Sequence, residues 1–210
     1  MEDKDIMNTR GPKIRLSRQL GIQLTPKADK YMKRKSNPPG QHGAAKGRYG
    51  KGTDYKRHLM EKQRLRAQYN VEEKQTGEYV RKAIRKPGNP VDNLIRMFET
   101  RLDAIMYRAG LARTIYATQQ LISHGHVLVN GKKVDIPSQH LKVSDVVSVK
   151  EASRKLQPFV EAAEEMPAKP TVAYLERSKE EMSAKLLYFP KAEEVPVICE
   201  IPLVIEYYSR

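Results

Sequence analysis

The stretch that decides the fold reads F-E-T-R-L-D-A-I-M-Y-R-A-G at 98–110, L-A-R-T-I-Y-A-T-Q-Q-L-I-S-H-G at 111–125 and H-V-L-V-N-G-K-K-V at 126–134. Phe98, Leu102, Ile105 and Met106 recur at helical spacing, and Gly110 stands where that helix would end. Ile115, Thr118, Leu121 and Ile122 give a second, shorter helical face, closed by Gly125. Residues 127–129 then alternate as a strand, and Asn130-Gly131 is a strong hairpin signal because both positions tolerate positive φ. Two small helices and a hairpin make a unit about the size of one RNA-reading module.

The polar residues of this unit fit that purpose. Arg101, Arg108, Arg113, Lys132 and Lys133 supply cations, and Thr114, Gln119, Gln120, His124, His126 and Asn130 interleave with them. Guanidinium and ammonium groups neutralise phosphates, whereas amides and hydroxyls bond sugars and base edges. Charge alone also fits a solvated polar face on an ordinary α/β unit. The order of elements favours RNA.

R-L-D at 101–103, Arg108 and Q-L-I-S-H-G-H-V-L-V-N-G-K-K-V at 120–134 resemble the S-four RNA-binding domain. The resemblance extends to G-P-K-I-R-L-S-R at 11–18, P-G-Q-H-G at 39–43, E-K-Q-R-L-R at 61–66 and I-E-Y-Y-S-R at 205–210. Together these cover nearly the whole chain and resemble the bacterial-type small-subunit ribosomal protein S-four family. The module alone would not separate that family from synthetases and RNA-modifying enzymes. The resemblance implies an α+β fold with a basic irregular N-terminal arm (1–52). A small helical rRNA-binding domain (53–97) would be completed by the C-terminal tail (186–210). The S-four module with its extension would span 98–185, with a core at 98–155.

Charge is distributed unevenly. Residues 1–98 hold 24 Lys and Arg against 10 Asp and Glu, residues 99–210 hold 15 of each, and so the formal +14 lies wholly in the first part. That asymmetry points to a polyanionic partner. No long apolar run, signal peptide or lipidation motif favours a membrane instead. One cysteine, Cys199, allows no internal disulfide and reads as a small buried hydrophobe.

The arm carries Lys13, Arg15, Arg18, Lys46, Arg48 and Lys51 among few large apolar residues, with Pro38, Pro39 and five glycines within 36–52. Such a segment buries too little to offset its ordering entropy, so order only against RNA is expected. Some members of the family hold zinc here with four cysteines. This chain has none there, and His42 lacks ligand neighbours, so no metal is expected.

Residues 53–86 read as two helices. Thr53 or Asp54 caps the first, Asn70 ends it, and Lys56, Arg57, Arg64 and Arg66 cover much of its surface. Arg81, Lys82, Arg85 and Lys86 face outward from the second, before the stop at 86–90. Few acids stand four residues from these cations, which leaves bound phosphates to relieve their repulsion. A third helix begins near Val91, with a small break near Glu99. Beyond the hairpin, Leu141, Val143 and Val146 to Val149 read as two short strands around a turn at Ser144-Asp145. A short helix at 162–165 and extended pieces at 171–175, 185–189 and 195–198 follow, bounded by prolines.

Catalytic patterns are absent: no phosphate loop, Cys-x-x-Cys pair, nucleophile elbow or H-E-x-x-H occurs. His124 and His126 would diverge across a helix-to-strand junction, and Asp103 reads as the structural partner of Arg101, Arg108 or a backbone amide. The resemblance implies a non-enzymatic protein without cofactor. It would bind 16S-type rRNA at a multi-helix junction of the 5′ domain, touch ribosomal protein five, and lie beside mRNA where the message enters the subunit. The implied setting is a cytoplasmic ribosome, or an organellar one of bacterial descent. Two departures stand out. The family's Arg-Lys-x-Arg cluster reads Ala45, Lys46, Gly47, Arg48 here, and Ile115 follows Thr114 where the family has arginine.

Overall fold

The computed structural model describes residues 11–35, 37–41, 43, 53–166 and 172–209. Among these, the helices are α1 (Lys13–Leu20), α2 (Pro26–Arg34), α3 (Asp54–Tyr69), α4 (Glu73–Arg85), α5 (Pro90–Glu99), α6 (Leu102–Arg108), α7 (Ile115–Ser123), α8 (Gln157–Glu165) and α9 (Ile201–Ser209). The strands are β1 (Val127–Val129), β2 (Lys132–Val134), β3 (Val146–Val149), β4 (Leu175–Ser178) and β5 (Ser183–Leu186). The fold is α+β. It divides into two compact units: the described parts of Met1–Arg81 with Val197–Arg210, and Lys82–Pro196. The boundary expected at 97/98 therefore falls inside the second unit.

The first unit is helical. α3 is started by the Thr53 hydroxyl, which accepts from the Lys56 amide, and is stopped by Asn70 at φ 51°. α9 packs along α3, with Leu65, Ala67 and Tyr69 buried on α3 and Ile201 and Val204 on α9. Pro202 falls in the first turn of α9, where its missing N–H costs no helix bond.

The arm is not irregular throughout. Residues 13–20 and 26–34 are helical, and Leu20, Ile22, Leu24 and Ala28 are buried. The Nε of Arg64 on α3 donates to the Leu20 carbonyl at 2.9 Å. Taken alone the segment is too polar to fold. Its few aliphatic side chains suffice because α3 supplies another wall of their core.

In the second unit, α5 starts at the Asn89 cap and ends at Glu99. The break before α6 has a definite cause. The amides of Leu102 and Asp103 donate to the carbonyls of Gln139 (2.8 Å) and Pro137 (3.1 Å), and the Leu141 amide donates to Thr100 (2.8 Å). These bonds replace the ladder bonds that the Leu102 and Asp103 amides and the Thr100 carbonyl would make in a continuous helix. Thr114 caps α7 by accepting from the Ala117 amide.

The sheet is antiparallel, in the order β2-β1-β3-β5-β4. Asn130 (φ 49°) and Gly131 (φ 78°) make the two-residue turn that sets Val129 opposite Lys132. Phe98, Leu102, Ile105, Met106, Ile122, Val127, Val147 and Phe159 are buried in this unit. Burial of each such side chain stabilises by about 1.5–3 kcal/mol.

Three expectations for the later part need correction. Residues 141–149 hold one strand rather than two. Ser144 takes φ 76°, and the Asp145 carboxylate accepts from the Lys142 amide, so the chain turns before β3. The extended pieces at 171–175 and 185–189 are displaced into β4 and β5, joined by a turn at Met182 (φ 47°), and 195–198 forms no strand. The short helix at 162–165 is longer, beginning at Gln157.

Candidate nucleic-acid interface

The structure sorts the residues expected to touch RNA into two groups, by where their partners lie. On α3, Arg57 is paired with Glu200, its Nη2 lying 3.1 and 3.0 Å from the two carboxylate oxygens. Arg64 pairs with Glu61 (2.6 Å) and Arg66 with Glu73 (2.7 Å). Lys62 also meets Glu73, at 3.0 Å, and lies 4.3 Å from the Tyr207 ring centroid. Arg66 is 6% exposed. Glu61 lies within one helical turn of Arg64, and the acids for Arg57, Lys62 and Arg66 come from outside the four-residue window, from Glu200 and Glu73.

The same holds for the module's arginines. Arg101 is 5% exposed, and its guanidinium donates to both oxygens of Asp103 at 2.9 and 2.6 Å. Asp103 also accepts from the Ala104 amide and from Gln119 Nε2 (2.8 Å). Arg108 is paired with Glu99 (2.8 Å), which is fully buried, and the Tyr174 hydroxyl donates to the same carboxylate at 2.8 Å. Burial, together with the charge of Glu99, pushes the Tyr174 phenol well above its ordinary pKa. Arg66, Arg101 and Arg108 are therefore internal struts, not surface cations. The physical reason is desolvation: a guanidinium this enclosed needs a carboxylate beside it.

Several polar residues are likewise occupied. Asn130 donates to Asp145 (2.8 Å) and accepts from the Val146 amide (2.9 Å), which ties the hairpin turn to β3. A hydrogen bond of 3.0 Å joins His126 Nδ1 and Ser153 Oγ. Thr114 is a helix cap. Arg113 is exposed but bridges to Glu161 (2.8 Å) and Glu165 (2.7 Å) on α8.

What remains outward is a smaller set. In the module it comprises Gln120, His124, Lys132 and Lys133, all exposed. Gly125 lets one of them, Lys133, approach the end of α7. It adopts φ 74°, and the Lys133 side chain lies across it so closely that a Cβ would collide. The hairpin lysine thus reaches the end of α7, beside His124. In the helical part, Arg15, Lys56, Arg81, Arg85 and Lys86 are exposed and form no ion pair among the described residues. Lys13 is half-buried, and burial lowers its pKa. Arg18 holds the carbonyls of Lys35 (3.2 Å) and Asn37 (2.7 Å). Lys46, Arg48 and Lys51, with His42 and Ala45, lie outside the described residues.

Sequence reasoning missed Glu99 and Tyr174 as partners of Arg108, and Glu161 and Glu165 as partners of Arg113. No local signal marks contacts across 75 or 48 residues. It also passed over Tyr31, which is exposed. The helical spacing of Tyr31 and Arg34 was the available signal.

For metal or catalysis the site offers little. Among the described residues no three His, Cys, Asp or Glu side chains cluster as a metal site. The rings of His124 and His126 are 6.2 Å apart and inclined at 57°. Nor, among the described residues, is any helix long and apolar enough to cross a membrane. Cys199 is half-buried rather than fully buried, and burial, helped by Glu61, pushes its thiol up to about 12.

Comparison with known proteins bears on the same regions. The S4 domain family matches residues 100–147, and the Ribosomal protein S4/S9 N-terminal domain matches residues 8–99. The small ribosomal subunit protein uS4 of Micrococcus luteus is 48% identical over 202 residues, covering 94% of this chain and 95% of the relative. Those of Thermobifida fusca and Streptomyces avermitilis are 45% and 46% identical, each over 97% of this chain and covering 100% and 99% of the relatives. The two matched domains and this identity over nearly the full length lead to one conclusion: the chain belongs to the small ribosomal subunit protein uS4 family.

Proposed function

We propose that this chain is a structural, non-enzymatic component of the small ribosomal subunit that binds small-subunit rRNA. One observation carries the reading. In a chain of this family, exposed cations that meet no carboxylate among the described residues recur on α1, on α3, on and just after α4 and at the hairpin, at Arg15, Lys56, Arg81, Arg85, Lys86, Lys132 and Lys133. Cations that the protein does not neutralise itself release counterions when phosphates do so, and this is where affinity arises. Gln120 and His124, exposed on and at the end of α7, supply groups that bond sugars and bases, which gives placement.

The finer reading follows the family resemblance. The target is a multi-helix junction in the 5′ domain of 16S-type rRNA, bound early so that later assembly proceeds on a fixed junction. Contact with ribosomal protein five and a position beside incoming mRNA connect the protein to decoding accuracy. Lys46, Arg48 and Lys51 carry the mRNA part, and Ala45 in place of an arginine weakens it.

The test is binding to protein-free small-subunit rRNA against an equal mass of unrelated structured RNA, across a salt series. The expected result is preference for the rRNA that persists at moderate salt. The log–log slope should reach several units, at about 0.7–0.9 per phosphate neutralised. Equal binding to both RNAs, lost together as salt rises, would contradict the reading.

A further inference from the structure

A groove of about 310 Å3 opens between α1 and α2. Ile14 and Arg18 line it from α1, and Tyr31, Arg34 and Lys35 from the α2 side. Spacings of three and four residues put each set on one helix face. Arg18 is held in place: its guanidinium donates to the carbonyls of Lys35 and Asn37, which ties the end of α2 to α1. Arg34 and Lys35 are exposed and form no ion pair among the described residues. Asp29, the one acid between 11 and 43, is bonded to Lys33 Nζ at 2.7 Å. Tyr31 is 44% exposed. The groove therefore combines an accessible flat ring, an aliphatic wall and three positive groups, with no carboxylate among its lining residues.

We infer that this groove seats one unstacked nucleobase of the bound RNA, with the base on the Tyr31 ring and its flanking phosphates against Arg34 and Lys35. The inference rests on the rRNA-binding reading and adds a site to it. An acidic peptide would use the cations but gain little from a flat ring, whereas an unpaired nucleotide uses both, since aromatic stacking and backbone neutralisation are how single-stranded segments are held. The volume admits a base with its ribose.

The chain contains no tryptophan, so Y31W would carry a single indole. Full-length Y31W is titrated with protein-free small-subunit rRNA, with inorganic polyphosphate and with polyglutamate, and the affinity of wild type, Y31F and Y31A for the rRNA is measured alongside. The rRNA should quench the indole emission while the two base-free polyanions leave it unchanged. Y31A should weaken rRNA binding about 5- to 100-fold and Y31F should keep most of it. Because Tyr31 is exposed, melting curves of Y31A should match wild type. Wild-type affinity in Y31A with an unquenched indole in the rRNA complex would overturn the nucleobase site and leave the rRNA reading standing. Quenching by polyphosphate or polyglutamate would overturn it in favour of a phosphate cradle or a peptide site. Failure of the wild type itself to prefer the rRNA would overturn both readings.

Discussion

Helices α3 and α4 follow one another in the chain, and both are basic, yet their cations serve different ends. On α3, every lysine and arginine but Lys56 meets a carboxylate: Arg57, Lys62, Arg64 and Arg66 pair with Glu200, Glu73 or Glu61. On α4, Arg81, Lys82 and Arg85 meet none among the described residues. The difference comes from the neighbours. α9 packs on α3, and Glu200 just before it reaches Arg57, while the Tyr208 hydroxyl on α9 donates to Glu73, the carboxylate that Lys62 and Arg66 share. The far end of α4 leads into an exposed Pro-Gly turn at 87–88. Positive charge on a helix therefore says little about RNA until the acids are located in space. Enclosed pairs hold the fold together, and the unpaired remainder is what a phosphate backbone can compete for.

The largest effect should come from extending the comparison to the second unit. Glu99→Ala leaves Arg108 enclosed without its carboxylate and Tyr174 without its acceptor. Stability in urea should fall by about 3–5 kcal/mol. A loss near zero would mean that this network is not a strut.

A smaller effect is expected at the α3 pairings. Glu73→Gln should cost about 1–3 kcal/mol, since Lys62, Arg66 and the Tyr208 hydroxyl lose a charged acceptor. Burial acts to raise the Glu73 pKa, but hydrogen bonds from Tyr208 and Lys62 and the charge of Arg66 outweigh it and hold the carboxyl below 4.5. A depressed folded pKa contributes stability that is present above the unfolded value and lost as pH falls through the folded one. Wild type should therefore lose part of its advantage over Glu73→Gln below about pH 4.5, seen as converging melting temperatures.

At the hairpin the reverse pattern is expected. K132Q/K133Q should leave the melting temperature within about 1 °C of wild type, since both residues are exposed and glutamine keeps part of the Lys133 stem over Gly125. It should lower the salt slope of rRNA binding by about 1–2. The smallest effect concerns Cys199, close to the start of α9. With its thiol raised to about 12, alkylation at pH 8 should be slow in the native protein and rapid in denaturant. Equal rates would show that this end of the α3–α9 packing opens readily.

Local chemistry made much of this legible in advance. Asn130-Gly131 fixes the hairpin, Thr53 and Asn70 bound α3, and Gly110 and Gly125 end their helices, because each acts within a few residues. The two helices in the arm were not legible, since Leu20, Ile22 and Leu24 gain their value from α3 and not from their own segment. The sorting of cations was equally hidden. Arg101 finds its acid two residues away, but Arg108 needs Tyr174 and Glu99, Arg57 needs Glu200 and Arg113 needs Glu161, and sequence spacing carries no trace of such contacts. Val143 looked like strand because it is β-branched, but backbone turning at Ser144 leaves it exposed.

The most direct test sets the two helices against each other in one assay. R81Q/R85Q/K86Q and R66Q are each measured for melting temperature and for the log–log salt slope of binding to small-subunit rRNA. The account predicts that the triple variant melts like wild type and loses about 2–3 units of slope. It predicts that R66Q melts lower and keeps the wild-type slope. An unchanged slope in the triple variant, or a full unit lost in R66Q at an unchanged melting temperature, would contradict the division into struts and RNA-facing cations.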